Sequence, residues 1–265
     1  MTVPTLPYIK KCWFKLNYRK LFREHKIIRD LSLVQFIAYF GAWFSNVAIY
    51  TMLVNFGSSE MAISIVTAMH FLPAILIAPF SGAIIDRVKI KPLMIALIAT
   101  ELIMTLLFLT IDDKSEIWLL MIFIFIRMSA ASMFFSTEMS LLAKLLKGKP
   151  LQTANEIHSI IWSFTYAAGM AISGFIVNWY GVKTAFIIDA FIFAIALIVF
   201  IRIDFVVKAS VATDKIFKLI KDGFLYIKND KIILHLIILH SSVGLTSFDA
   251  LITILAKNEY KYIIS

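Results

Sequence analysis

The sequence predicts an all-α membrane protein with seven transmembrane helices. Three observations predict it. Seven apolar stretches punctuate the chain: Leu31–Phe56, Ala62–Ile85, Pro92–Ile111, Ile117–Phe135, Ile157–Tyr180, Val182–Ile201 and Ile232–Ala256. Each has about 19–26 residues, and about 20 residues of helix cross a hydrocarbon core of roughly 30 Å. The chain is 60% hydrophobic and 16% charged, with 23 phenylalanines and a mean hydropathy of +0.86. A soluble domain of this length has too little interior to hide that much apolar surface. Finally, a backbone in lipid must satisfy its own hydrogen bonds, so the apolar stretches are helices.

The connections follow an alternating charge pattern. The tail before Leu31 carries eight basic residues, Lys10, Lys11, Lys15, Arg19, Lys20, Arg23, Lys26 and Arg29. The second–third connection has Arg87, Lys89 and Lys91, and the fourth–fifth has Lys144, Lys147 and Lys149. The sixth–seventh is lysine-rich from Arg202 to Lys231. The intervening connections hold few basic residues, with Glu60, then Asp112, Asp113, Lys114 and Glu116, then Lys183. Cytoplasmic segments of membrane proteins carry the excess of Lys and Arg, so the N-terminus is expected in the cytoplasm and the seventh span ends outside. The net charge of +9 is thus a sign of orientation in the inner (plasma) membrane, and no nucleic-acid partner is expected. Cys12 is the single cysteine, so an intrachain disulfide is excluded. A secretory signal peptide is not expected, because the first span follows thirty polar and basic residues.

The predicted organisation has four parts. Residues 1–30 form a basic amphipathic tail, read as a helix on the anionic face of the bilayer or as a docking segment. Residues 31–201 form a six-helix transmembrane bundle. Residues 202–231 are a linker in which Ile216, Phe217, Ile220, Phe224 and Ile227 recur at helical spacing with lysines opposite. Residues 232–265 hold the seventh helix. In the second span, Pro73 and Pro79 are expected to bend the helix.

The polar residues within the spans carry the chemistry. By helix rise, Glu101 on the third span and Arg127 on the fourth both lie near the midplane, about 15 Å deep. An unpaired charge there costs about 2.5–3.5 kcal/mol. Opposite charges at one depth on consecutive helices predict a Glu101–Arg127 pair. It is read either as a packing ion pair or as a proton-linked gate, since a buried carboxylate can exchange its partner for a proton. Asp189 and Asp249 are placed in the outer third of spans six and seven, about 9–12 Å deep. They are candidates to bind a proton or a cationic substrate from a central cavity, or to bond to local hydroxyls. His70, His158, His235 and His240 are scattered without helical i, i+4 pairing, so neither a metal site nor any other cofactor is expected. Without a Walker loop, a Rossmann glycine pattern or a nucleophile elbow, the chain does not read as an enzyme or an ATP-driven pump.

After the second span, Gly82, Asp86, Arg87 and Lys91 fall at the spacing of the loop signature G-x-x-x-D-[RK]-x-G-x-[RK]-[RK]. This resembles the major facilitator superfamily, with Lys89 in place of the second glycine and Pro92 in place of the last basic residue. Gly82 is read as allowing close helix packing. Asp86 sits at a helix C-terminus, where a carboxylate requires a partner. Arg127, followed by Ser129, Ala130, Ala131 and Ser132, is similar to the family's fourth-helix arginine motif. Gly169, Ser173 and Gly174 resemble its antiporter motif G-P-x-x-G-G, with Met170 at the proline. The residues Ala154-Asn155-Glu156, Gly174 through Tyr180-Gly181, and Ala185 to Ala190 resemble the branch of enterobactin and macrolide exporters.

That resemblance implies a major-facilitator N-terminal six-helix bundle followed by the first helix of a truncated second half, because members have twelve spans. It implies a secondary active transporter, proton-coupled and exporting a small drug-like or siderophore-like molecule. Its partners would be the lipid bilayer, the small-molecule substrate, the proton, and a missing second half or a second copy in a homodimer. The alternative reading is a non-transporting truncated remnant or an accessory membrane protein.

Overall fold

The computed structural model describes residues 18–205, 207 and 216–244. A short helix, α1 (Tyr18–Glu24), leads into α2 (Lys26–Asn55), α3 (Glu60–Ile85) and α4 (Ile90–Leu107). Two 3₁₀ turns, Phe108–Thr110 and Lys114–Glu116, connect α4 to α5 (Ile117–Leu145). Then follow α6 (Lys149–Tyr180), α7 (Val182–Ile201), α8 (Ile216–Asn229) and α9 (Lys231–Gly244). Among the described residues, six helices are long and apolar enough to cross a membrane, α2 to α7. Of the seventh predicted span, α9 is described as far as Gly244. The rest of that span, Asp249 included, lies outside the described residues.

Three helices run well beyond the apolar stretches that announce them. α2 starts at Lys26, α5 continues to Leu145, and α6 starts at Lys149. Hydropathy fades at polar residues, but the backbone ladder does not, because each added helical residue satisfies another hydrogen bond. The turns are defined by local chemistry. Ser59 caps α3 by accepting from the Ala62 amide at 3.3 Å. Asp113 and Glu116 form a capping box ahead of α5. Gly181, at φ 82°, makes the one-residue joint between α6 and α7 in a region that residues with a Cβ disfavour.

α2 is the central element, packed along α6 and α7, while α4 packs against α5 and α7, and α3 against α5. At the end of the bundle that carries the acidic connections, Phe44, Leu53, Ile63, Phe108, Leu120 and Phe186 form one apolar cluster. Toward the basic end, Leu31, Met94, Ile98, Phe134, Phe193 and Phe200 form a second. The outward faces are apolar, with Ile75, Trp118, Phe175 and Phe191 exposed, as a lipid-facing surface requires.

Close packing uses two of the small residues singled out in the sequence. An added Cβ at Gly169 would lie 3.1 Å from the Phe40 carbonyl and 3.2 Å from the Trp43 Cβ. One turn on, the Ser173 hydroxyl donates to the Phe44 carbonyl at 2.5 Å. Gly174 and Gly82 do not take this role among the described residues, where nothing lies within 4 Å of a Cβ added at either. The expectation that Gly82 permits close helix packing is therefore corrected. Of the tail, Tyr18–Glu24 is described, and its Leu21 is buried with Ile28, Leu142, Leu146 and Ala154 at the basic end of the bundle.

Candidate functional site: charges buried between the helices

Arg127 sits three turns into α5, and its Nη2 donates to Asp189 Oδ2 at 3.0 Å. Both side chains are fully enclosed, at 4% and 0% exposure. Ser45 of α2 also donates to Asp189 Oδ2. The guanidinium lies over two rings, Phe108 at 5.6 Å and Phe193 at 5.2 Å from their centroids, a cation–π cradle that belongs to both apolar clusters. Gly41 makes the space for the carboxylate, since a Cβ there would approach Asp189 Oδ1 to 2.6 Å. Among the described residues, Asp189 Oδ1 and Arg127 Nε have no hydrogen-bond partner, so the pair retains unused polar capacity in a low-dielectric setting.

The expected Glu101–Arg127 pair is corrected by this geometry. Glu101 is buried on α4 at 3% exposure and acts electrostatically on Arg127, but the carboxylate in contact with the guanidinium is that of Asp189. Depth along a helix is read from rise per residue; which helices adjoin is not. The packing of α7 against both α2 and α4 brings Asp189 to the centre, and the long arginine side chain bridges the remaining difference in height. Asp189 is accordingly enclosed within the six-helix bundle, where the Ser45 hydroxyl bonds it, as the reading of Asp189 bonded to local hydroxyls has it.

At the basic end, Asp86 is the C-cap of α3, where the helix dipole disfavours a carboxylate. Lys144, in the last turn of α5, supplies a cation at 3.1 Å. Lys91 reaches Asp204 at 3.4 Å. The loop signature thus ties α3 to α5 and the start of α4 to the segment after α7. Residues 31–262 match the Major Facilitator Superfamily.

The chain belongs to the major facilitator superfamily. It is similar to an uncharacterized MFS-type transporter of Bacillus subtilis (strain 168), YfiS, with 26% identity over 222 residues. The match covers 82% of this chain and 52% of the relative, so the chain spans about half the length of the curated relative it matches. Superfamily membership and the six apolar helices together make it an integral membrane protein.

This superfamily bundle contains a second buried polar cluster that the sequence did not announce. Tyr39 of α2 donates to Glu138 Oε2 of α5 at 3.2 Å. Gln35 Nε2 donates to His158 Nδ1 at 2.6 Å and to the His158 carbonyl at 3.4 Å. Glu138 Oε2 and His158 Nδ1 are 3.7 Å apart. The Tyr39 and Phe135 rings meet the imidazole edge-on. Glu138 lies three residues beyond Phe135, where the fourth apolar stretch ends, so hydropathy does not place it in a span. The signal that finds it is the continuing helical period through Thr137, Leu141 and Leu142, all buried on its face.

Proposed function

We propose that the chain forms the N-terminal bundle of a proton-coupled secondary transporter that exports a small molecule. In this reading the inner membrane holds it with its N-terminus and basic connections in the cytoplasm. The observation that carries it is the Arg127–Asp189 pair. An ion pair is costly to bury, and it weakens when its carboxylate takes a proton. Proton binding would release Arg127, and the freed cation would favour a different packing of α5 against α7. Glu101 on α4 is a second proton acceptor within the same field, and Asp249 would contribute from the seventh helix. Export, rather than import, is supported by the likeness to the enterobactin and macrolide exporters. Rocking of two six-helix units about a midplane site would give alternating access. Because the chain spans half of its relative, the second wall would come from a further six-helix unit, in the same polypeptide or as a second copy. The same coverage keeps one other reading in play, a non-transporting accessory protein.

The test uses cells lacking their own dye exporters and loaded with ethidium. The chain is expressed alone, or joined to the second half of the Bacillus subtilis relative. The joined protein is expected to export the dye, to stop when a protonophore collapses the gradient, and to fail as Asp189→Asn. The chain alone is expected to insert without exporting. Export that survives the protonophore overturns proton coupling. Robust export by the chain alone points to a homodimer, which crosslinking would then capture.

A further inference from the structure

We propose that Glu138 and His158 jointly hold one buried proton, and that the Gln35 amide on α2 is set by which of them carries it. The site deepens the transport reading, and rests on it only for its role. Binding of the proton is a separate matter, decided by the geometry of four side chains.

Gln35 fixes the first half of the inference. Its amide nitrogen faces two groups of His158, the backbone carbonyl at 3.4 Å and the ring Nδ1 at 2.6 Å. A carbonyl can only accept, so the nitrogen end of the amide must point there. Flipping the amide would set oxygen against oxygen. The amide therefore donates to Nδ1, which makes Nδ1 a bare acceptor and His158 a neutral ring with its proton on Nε2.

Glu138 supplies the second half. Its Oε2 lies 3.7 Å from that same bare Nδ1, so two lone-pair atoms face one another. The carboxyl is 2% exposed, and among the described ion pairs its nearest cationic candidate is His158 itself. Tyr39 provides one donor at 3.2 Å. Around the site, Tyr39 and Gln35 belong to α2, Glu138 to α5 and His158 to α6. An ionised Glu138 would be a buried anion with one hydroxyl donor, an arrangement that costs several kcal/mol. A proton on Glu138 removes the charge and the repulsion between the facing lone pairs, while the Nδ1 lone pair stays with Gln35.

The alternative position of the proton is equally defined. The O–H bond of Glu138 breaks, an N–H bond forms at His158 Nδ1, and the products are a carboxylate and an imidazolium. Nδ1 is then a donor, so the Gln35 N–H must leave it, and with it goes the bond to the His158 carbonyl. Moving the proton across this 3.7 Å separation thereby releases a contact between α2 and α6, the two helices most extensively packed in the bundle. Such a link between a titration and a helix interface is what a proton-driven transporter requires.

The experiment reads the proton directly in the full chain in lipid nanodiscs near neutral pH. Infrared spectra report protonated carboxyls, and ¹⁵N-histidine spectra, assigned with His158→Gln, report the tautomer. A protonated-carboxyl band is expected that disappears in Glu138→Gln, persists in Asp189→Asn, and persists at a displaced frequency in Tyr39→Phe. His158 is expected neutral with a bare Nδ1. Gln35→Leu frees Nδ1 and is expected to convert part of the His158 signal to imidazolium while weakening the Glu138 band. Loss of dye export with these spectra intact would count against the transport reading and leave the proton site standing. An ionised Glu138 beside a neutral His158, or a band indifferent to Glu138→Gln and Tyr39→Phe alike, overturns the site.

Discussion

Removing the carboxylate of Asp189 is the most revealing perturbation of the bundle. At 3.0 Å and an effective dielectric near 20, the gross attraction between the two charges is roughly 5 kcal/mol. Burying both charges costs several kcal/mol each, so the intact pair contributes little net stability. Breaking it is different, because it strands a buried cation at a cost of about 3–5 kcal/mol. Arg127 cannot shed its proton, and the Phe108 and Phe193 rings return about 0.5–2 kcal/mol of that cost. Asp189→Asn is therefore expected to destabilise the chain by about 3 kcal/mol. Arg127→Leu should cost less, since the carboxyl left behind can take up a proton and keeps the Ser45 hydroxyl. The double variant should recover much of the loss, with a coupling of at least about 2 kcal/mol. Equilibrium unfolding in mixed SDS micelles measures all three. Additive single effects would refute the pair, and so would a larger loss from Glu101→Gln than from Asp189→Asn.

Other expectations follow from the packing and the loops. Gly41→Ala and Gly169→Ala should each lower the unfolding midpoint, since the new Cβ meets Asp189 Oδ1 at 2.6 Å or the Phe40 carbonyl at 3.1 Å. Gly82→Ala and Gly174→Ala enter open space and should be neutral or stabilise by up to about 1 kcal/mol; equal losses at all four positions would contradict the assignment. Asp86→Ala should cost at most about 1 kcal/mol, because its partnership with Lys144 is solvent-exposed, and the loss should shrink in high salt. In a Cys12→Ser background, cysteines replacing Lys114 and Lys183 should react with an impermeant maleimide from outside whole cells. A cysteine replacing Lys147 should react only after permeabilisation, and the reverse pattern would invert the orientation.

The order of the six described spans was legible because lipid exposure forces long apolar runs. Trp118, Ile75 and Phe191 had to be apolar wherever their neighbours lay. The buried charges were legible as individuals for the same reason, since Arg127, Glu101 and Asp189 are too costly to place in a span without cause. Their partnership was not. Equal depth on consecutive helices pointed to Glu101, but contact depends on the lateral arrangement of helices, which hydropathy does not encode. Glu138 was hidden for a further reason. It sits where the fourth apolar stretch has ended at Phe135 and α5 has not, so composition reads as loop what the backbone continues as core. His158 lies inside the fifth apolar stretch, and what hydropathy withholds there is its partner.

α2 shows how these sites depend on one another. Ser45 serves the Asp189 carboxylate, and two and three turns earlier Tyr39 and Gln35 serve Glu138 and His158. Between them, Gly41 yields space to Asp189, and the Phe40 and Phe44 backbone accepts Gly169 and Ser173 of α6. One helix thus presents, along about 15 Å of rise, a partner for each buried carboxylate that contacts it and a close seam to α6. A small axial or rotational shift of α2 would alter the donors at Glu138 and Asp189 together. The two clusters lie about three turns apart on α5, at Glu138 and Arg127, too far for direct hydrogen bonding. Any coupling between them therefore runs through helix packing, along α5 and α2, or through Glu101. The two routes are separable, since Glu101→Gln removes one and leaves the α2 contacts in place. If the Glu138 carboxyl band responds to Asp189→Asn in the Glu101→Gln background, the helix carries the coupling. If the response vanishes there, the intervening carboxyl does.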